Sequence, residues 1–212
     1  MNTILKPATS RAKSQQKTRK ALLKAGATLI ARNGFSGASV RDIASLAGYT
    51  QGAFYSNFQS KDDLVFAIMR DMFQQAYETI TSAEKSNSTS PADLAQDITT
   101  WLNDLCSSNE KAQLETEISL HAMRDEKFAL SFYALLDDHS LKMTQILEKI
   151  AHERQLELCV PVEKIGKGMI AMARGFNLMM PHRDPKVVSD TLQIFLEAVL
   201  QARTKPKVHS KP

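Results

Sequence analysis

Apolar residues recur at helical spacing along nearly the whole of this 212-residue chain, and nothing else in the sequence limits its fold as strongly. Only 8 glycines and 7 prolines interrupt the pattern, and no stretch alternates with period two for long enough to make a strand. The expected fold class is all-α, with about nine helices. Hydrophobic residues make up 43% of the chain and charged residues 24%, enough to bury a core and to exclude a disordered polymer. The two cysteines, Cys106 and Cys159, cannot make a disulfide framework, and no C-x-x-C is present to hold zinc. The longest near-apolar run, Phe128 to Leu136, is too short for a bilayer, and no apolar segment follows the basic N-terminal residues. The expected location is cytoplasmic.

Charge divides the chain in two. Residues 1–70 carry 11 Lys/Arg against 3 Asp/Glu, residues 71–200 carry 12 against 20, and the tail 201–212 adds four cations. A basic first third before an acidic remainder suggests two functional units, the first facing a polyanion. Chance clustering of solvated charge is the alternative that the residues themselves must decide.

Residues 1–13 read as a flexible basic arm. A first helix is expected from about Ser14 to Asn33, with Leu22, Ala25, Leu29 and Ile30 on one face and Gly34 as its stop. Ser39 would cap a short helix over 40–47 with Asp42 at the capping-box position, Gly48 would turn left-handed, and Thr50 would cap a helix over 51–58. Ser60 opens a long helix carrying Leu64, Ile68, Met72, Ala76 and Ile80 on one side. The stretch 82–90 is the best linker, and Pro91 suits the first turn of the helix bearing Leu94, Ile98, Trp101 and Leu105. Helices follow at about 110–123, 127–155, 162–180 and 186–203, the last two apolar on more than one face. The expected units are therefore a basic helical unit over 14–60, reaching to about 75, a larger helical unit over 61–203, and a flexible tail over 204–212.

Two short helices joined by a three-residue turn containing glycine have the grammar of a helix-turn-helix. Ile43, Ala47, Phe54 and Phe58 would form a small core against Leu22, Leu29 and Ile30, with Ala44 small where helices cross. Thr50, Gln51, Gly52, Tyr55, Ser56 and Asn57 then face outward, a set of hydroxyls and amides that suits a major groove. Gln51 is the candidate base contact, since its amide can bond adenine bidentately, and Thr50 suits a base or a phosphate. Gly52 lets backbone approach the duplex. Tyr55, Ser39 and Lys61 suit phosphate oxygens, and Arg41 either a phosphate or a base edge. A similar corner in an unrelated helical protein is the competing explanation, weakened by the polar face, the basic surroundings and the caps in register.

Thr18-Arg19, 31–35 (ARNGF), 39–44 (SVRDIA), Ala47-Gly48 and 52–64 (GAFYSNFQSKDDL) together closely resemble the TetR family of bacterial transcriptional regulators. The resemblance covers about residues 15–75. More weakly, 121–125 (HAMRD) and 175–178 (GFNL) resemble ligand-domain segments of the same family. Tyr49 stands where such proteins usually carry a small aliphatic residue, and Gln51 where lysine is frequent, so base preference cannot be carried over. The resemblance implies a homodimer through the last two helices, a palindromic double-stranded DNA operator, and a small-molecule pocket in the C-terminal domain. An isologous interface would also bury the doubly apolar helices.

The C-terminal methionines and aromatics suit an adaptable apolar pocket, although each one is also an ordinary core residue. His121, His139, Arg174 and Asn177 are the polar groups on its apolar faces. Trp101, His121, Tyr133 and Asn177 are the candidate pocket residues, for an unidentified and largely apolar effector. Enzyme motifs fail: His152-Glu153 lacks a second histidine at 156, and Gly166-Lys-Gly168 has Ala at 171 with no preceding strand. No cofactor or metal site is expected. The reading is a ligand-released repressor, and the alternative is a helical carrier or interaction module without operator recognition.

Overall fold

The computed structural model describes residues 10–83, 93, 96, 98–100, 108–153, 160–179 and 185–199. All secondary structure among these residues is helical. Most of the basic arm, the 84–90 part of the expected linker, Pro91, Leu94, Trp101, Leu105, both cysteines and the tail lie outside the described residues. The helices with complete bounds are α1 (Ser10–Gly37), α2 (Val40–Leu46), α3 (Gln51–Tyr55), α4 (Lys61–Ala83), α5 (Asn109–Ala122), α6 (Glu126–Glu153), α7 (Val162–Met179) and α8 (Pro185–Val199). Residues 98–100 are also helical.

Two compact units emerge. The first holds residues 1–72 and 113–132, the second 73–112 and 133–212. Helices α4, α5 and α6 therefore contribute residues to both. The first unit is built on Leu22, Ile30, Ile43, Phe54 and Phe58, all fully buried as the apolar spacing implies. Burying each is worth about 1.5–3 kcal/mol. Helices α1 and α4 approach closely at Gly26, where an added Cβ would lie 2.6 Å from Leu64 Cδ2. The second unit packs Ala76, Ile80 and Ile98 with Met143, Leu147, Ile150, Ile165, Met169, Leu192 and Leu196.

Helix ends differ from the sequence expectation at α1 and at α3. α1 begins at Ser10 rather than Ser14, and its non-helical residue is the expected Gly34, at φ 76° and ψ 166°. One further turn, 35–37, follows that break. α3 ends at Tyr55, three residues short of Phe58. There Ser56 Oγ donates to the Gly52 carbonyl at 2.8 Å and Asn57 Nδ2 to the Ala53 carbonyl at 2.8 Å. These side chains answer carbonyls at the helix end, and the backbone N–H groups of Asn57 and Phe58 converge on Phe54 instead. α8 is described only to Val199, so the expected extension to 203 lies outside the described residues.

Candidate nucleic-acid interface

Three caps fix the corner that would read DNA. Ser39 Oγ accepts from Asp42 N at 3.1 Å and donates to the Asp42 carboxylate, so cap and carboxylate hold each other. Thr50 Oγ1 accepts from Ala53 N at 3.2 Å at the start of α3. At the start of α4, Ser60 Oγ accepts from Asp63 N while the Asp63 carboxylate accepts from Gln59 N, both at 3.1 Å. Between α2 and α3, Gly48 takes φ 77° with open space where a Cβ would stand. Its requirement is therefore backbone conformation rather than room. Tyr49 N closes the turn on the Ala44 carbonyl at 2.9 Å.

The buried side of α3 is Phe54, wedged against Phe58 with ring centroids 5.6 Å apart. Thr50, Gln51, Gly52, Tyr55 and Ser56 are exposed, as is Arg41 on α2 and Ser39 at its cap. Tyr55 keeps 58% of its surface open while its ring meets Phe54 edge-on at 5.4 Å. A Cβ on Gly52 would touch only Thr50 Oγ1, at 3.7 Å, so nothing inside the protein requires glycine there.

Two residues expected to face outward do not. Asn57 is half-buried with its amide turned back on α3. Lys61 is half-buried too: its Nζ donates to the carbonyls of Phe35 at 2.6 Å and Ala38 at 3.1 Å, and sits 4.0 Å from the centre of the Phe35 ring. Burial lowers its pKa, with neighbouring Asp62 pulling the other way. The ammonium ties α4 to the junction of α1 and α2, because carbonyls left over where α1 ends need donors.

The sequence reading overlooked Arg19 as a structural clamp. Its guanidinium donates to the Asn57 carbonyl at 3.0 Å and lies 4.3 Å over the Phe58 ring, fastening α1 to the segment that follows α3. An arginine on the same helical face as Leu22 was the available signal.

Of the four candidate pocket residues, His121 and Tyr133 have described side chains, one in each unit. His121 belongs to the first unit, stacked on Phe35 at 3.6 Å and tilted against Phe128 at 4.6 Å. One turn earlier on α5, Glu117 fills the space beside Gly34, 2.9 Å from where a Cβ would be. Tyr133 belongs to the second unit and is 52% exposed. Asn177 falls on α7, with its side chain outside the described residues, as is all of Trp101.

The second unit instead buries His139. Its Nδ1 lies 2.6 Å from Tyr77 Oη and its ring stacks on Phe73 at 3.8 Å, nearly parallel. Burial first, then the charge of Arg174, pushes its pKa down to about 4, with Lys142 adding to the effect and Asp138 opposing it. Burial, followed by Asp138, pushes the Tyr77 phenol up to about 12. Tyr77 was not singled out in the sequence, although Phe73 and Tyr77 four residues apart already made a second aromatic face on α4. Among the described residues no group of His, Cys, Asp and Glu is placed to hold a metal, and no helix is long and apolar enough to cross a membrane.

Comparison with known proteins gives this geometry a context. Residues 22–68 match the family model for bacterial regulatory proteins of the tetR family. The chain is 32% identical over 111 residues to the HTH-type transcriptional repressor KstR2 of Rhodococcus jostii, a match covering 50% of this chain and 52% of that protein. It is 30% identical over 73 residues to the HTH-type transcriptional repressor DhaR of a Mycobacterium species, covering 34% of this chain and 37% of the other. The chain thus spans about half the length, or less, of these curated relatives. In fold it is similar to a TetR-family regulator from Agrobacterium tumefaciens (TM-score 0.64, 22% identity, 88% of this chain and 100% of that one). It is similar also to Salmonella enterica GusR (TM-score 0.69, 18% identity, 94% and 99%). The helix-turn-helix lies within the residues that match the tetR-family model, and the all-helical fold is similar to these two solved structures.

Proposed function

We propose that the protein is a cytoplasmic transcriptional repressor that binds a palindromic operator as a homodimer and is released by a small-molecule effector. The observation that carries this reading is the exposed polar face of α3 on a corner held by three caps and an apolar core. Gln51 reads a base edge, Thr50 and Arg41 contact a base or a phosphate, and Ser39, Tyr55 and Ser56 position the backbone through phosphates. Gly52 admits close approach of the duplex. Lys61 serves this interface by holding the α1–α2 junction, with any phosphate contact secondary. KstR2 and DhaR, both named repressors, support the sign of regulation.

Dimerisation would use α7 and α8, whose Leu178, Met179, Val187 and Ile194 stay exposed in the single chain. Two α3 helices related by a two-fold axis would then enter successive major grooves, roughly 35 Å apart. Release requires only that the effector prefer the conformation that does not fit the operator. A preference of about 100-fold corresponds to about 2.7 kcal/mol. Helix α4 would carry the change, assisted by Glu117 and His121 of α5, which grip Gly34 and Phe35 at the end of α1.

Selection from random duplex DNA at about 150 mM salt tests the reading. An enriched inverted repeat is the expected result. Binding without a motif that vanishes as salt rises would overturn it and leave a basic helical carrier in its place.

A further inference from the structure

We propose that the first turns of α1, carrying Arg11, Lys13, Lys17 and Lys20, form a second DNA-contact surface that grips the sugar-phosphate backbone outside the base pairs read by α3. The inference rests on the DNA-binding reading above and adds a site to it.

The geometry begins where α1 leaves the core. The helix starts at Ser10, yet its first buried residue among those described is Leu22. Residues 11–17 are exposed one after another, so about two turns of helix stand clear of the unit. Their root is fixed. Arg19 donates to the Asn57 carbonyl at 3.0 Å and lies over the Phe58 ring, just past the end of α3. The opposite end of α1 is held elsewhere, where Lys61 donates to the carbonyls of Phe35 and Ala38. The exposed turns therefore set out from the side of the unit on which Tyr55 and Ser56 are open. From Arg19 back to Ser10 they reach about 14 Å.

Their charge is one-sided. Residues 1–41 hold nine Lys and Arg and no Asp or Glu, the first acid being Asp42. Lys13, Lys17, Lys20 and Lys24 follow one another at three- and four-residue steps, which aligns them along one face of α1. Like charges at that spacing repel, and cations in the opening turns also oppose the helix dipole. The arrangement is unfavourable in the free protein, whereas a row of phosphates reverses the sign of both effects. A duplex presents about one phosphate per 1.7 Å of its axis, so about 14 Å of helix meets several. Lysine suits this contact, as a flexible point charge that follows a backbone without reading bases. Composition also decides against a membrane surface. Between residues 10 and 20 the only apolar side chain is Ala12, and an interfacial helix needs large apolar residues opposite its cations.

The test compares two double variants of the full-length protein that lose the same charge. Lys13→Gln with Lys17→Gln strips the exposed turns. Lys24→Gln with Arg32→Gln removes two exposed cations about 10 and 22 Å farther along α1, beyond the screening length of about 8 Å. Fluorescence anisotropy against random duplex DNA over a salt series reads both. The first pair should lower the salt slope by about 2 and weaken binding about tenfold at about 150 mM salt, with the second pair near wild type. On a selected operator fragment, trimming the flanks by about one helical turn at each end should weaken the wild type and leave the first pair unaffected. The enriched motif should be the same in every variant. Thermal unfolding should show both pairs folded, since each glutamine sits at an exposed site. Equal effects of the two pairs would reduce the surface to net charge and overturn the assignment. So would an unchanged salt slope in the first pair, or wild-type binding indifferent to the flanks. Retained DNA binding with lost attachment to phosphatidylglycerol vesicles in the first pair would give the cations to a membrane and overturn it too. The regulator reading is scored on the enriched motif and this one on the slope difference between the pairs, so either can fail alone.

Discussion

The two compact units treat polar side chains in opposite ways. In the first, the interior residues are apolar, and the polar groups of α2 and α3 stand outside on rigid caps. In the second, Thr99, His139 and Thr144 are buried; these are the only buried polar residues among those described. A surface that reads a duplex needs hydroxyls and amides free of internal partners, with an oily wedge behind them for stiffness. A unit that recognises a small molecule needs polar atoms inside, where a ligand can exclude water and each hydrogen bond counts for more. The charge asymmetry along the sequence follows the same division, with the cations gathered where a polyanion would lie.

Substitutions can break this contrast, and the largest effect belongs to the apolar wedge. Phe54→Ala should destabilise the first unit by about 3–5 kcal/mol, read by chemical denaturation, and abolish operator binding with it. A loss below about 1 kcal/mol would mean that the corner does not depend on its core. The second unit should show its buried histidine as pH dependence. The folded pKa of His139, about 4, lies below the ordinary value of 6.5. As pH falls through 6.5, the unfolded chain takes up a proton that the folded one refuses. Stability should therefore drop by about 3 kcal/mol between pH 6.5 and 4 and then level off. His139→Phe should flatten that window, and an unchanged slope in the variant would place the titration elsewhere.

Smaller effects sharpen the contrast within the reading face. Gln51→Ala should cost about 1–3 kcal/mol of discrimination at one base pair of each half-site while random-DNA affinity holds. An unaltered base preference in a repeated selection would remove Gln51 from base recognition. Lys61→Ala should cost about 1–2 kcal/mol in thermal unfolding through its two carbonyl bonds. If only DNA affinity fell and stability held, the ammonium would be a phosphate contact after all. Gly52→Ala should be neutral or stabilising, by up to about 0.5–1 kcal/mol, yet weaken operator binding. Unchanged binding would show that the duplex does not approach α3 at that point.

Much of the first unit was legible in the linear sequence because its determinants are local. Caps act over three residues, a left-handed turn needs one glycine, and a short helix shows its buried and open sides through period 3.6 alone. Ser39, Gly48, Thr50, Phe54 and Phe58 all stand where spacing put them. Reading failed first where side chains compete with backbone, as Asn57 and Ser56 do at the end of α3. It failed again where a long side chain has two possible destinations. Lys61 reads as a solvated cation until the carbonyls of Phe35 and Ala38 are seen beside it.

By itself, then, the sequence determined the helical class, the helix-turn-helix and the polar face of α3, because each depends on neighbours within a few positions. Tertiary structure alone decided that Arg19 clamps Asn57 and Phe58, 38 residues away in the case of Asn57, and that His121 stacks on Phe35 in the first unit. It alone brought Tyr77 to His139 across 62 positions of chain. Such pairings depend on which faces of distant helices meet, and helical periodicity gives a face its direction without naming its partner.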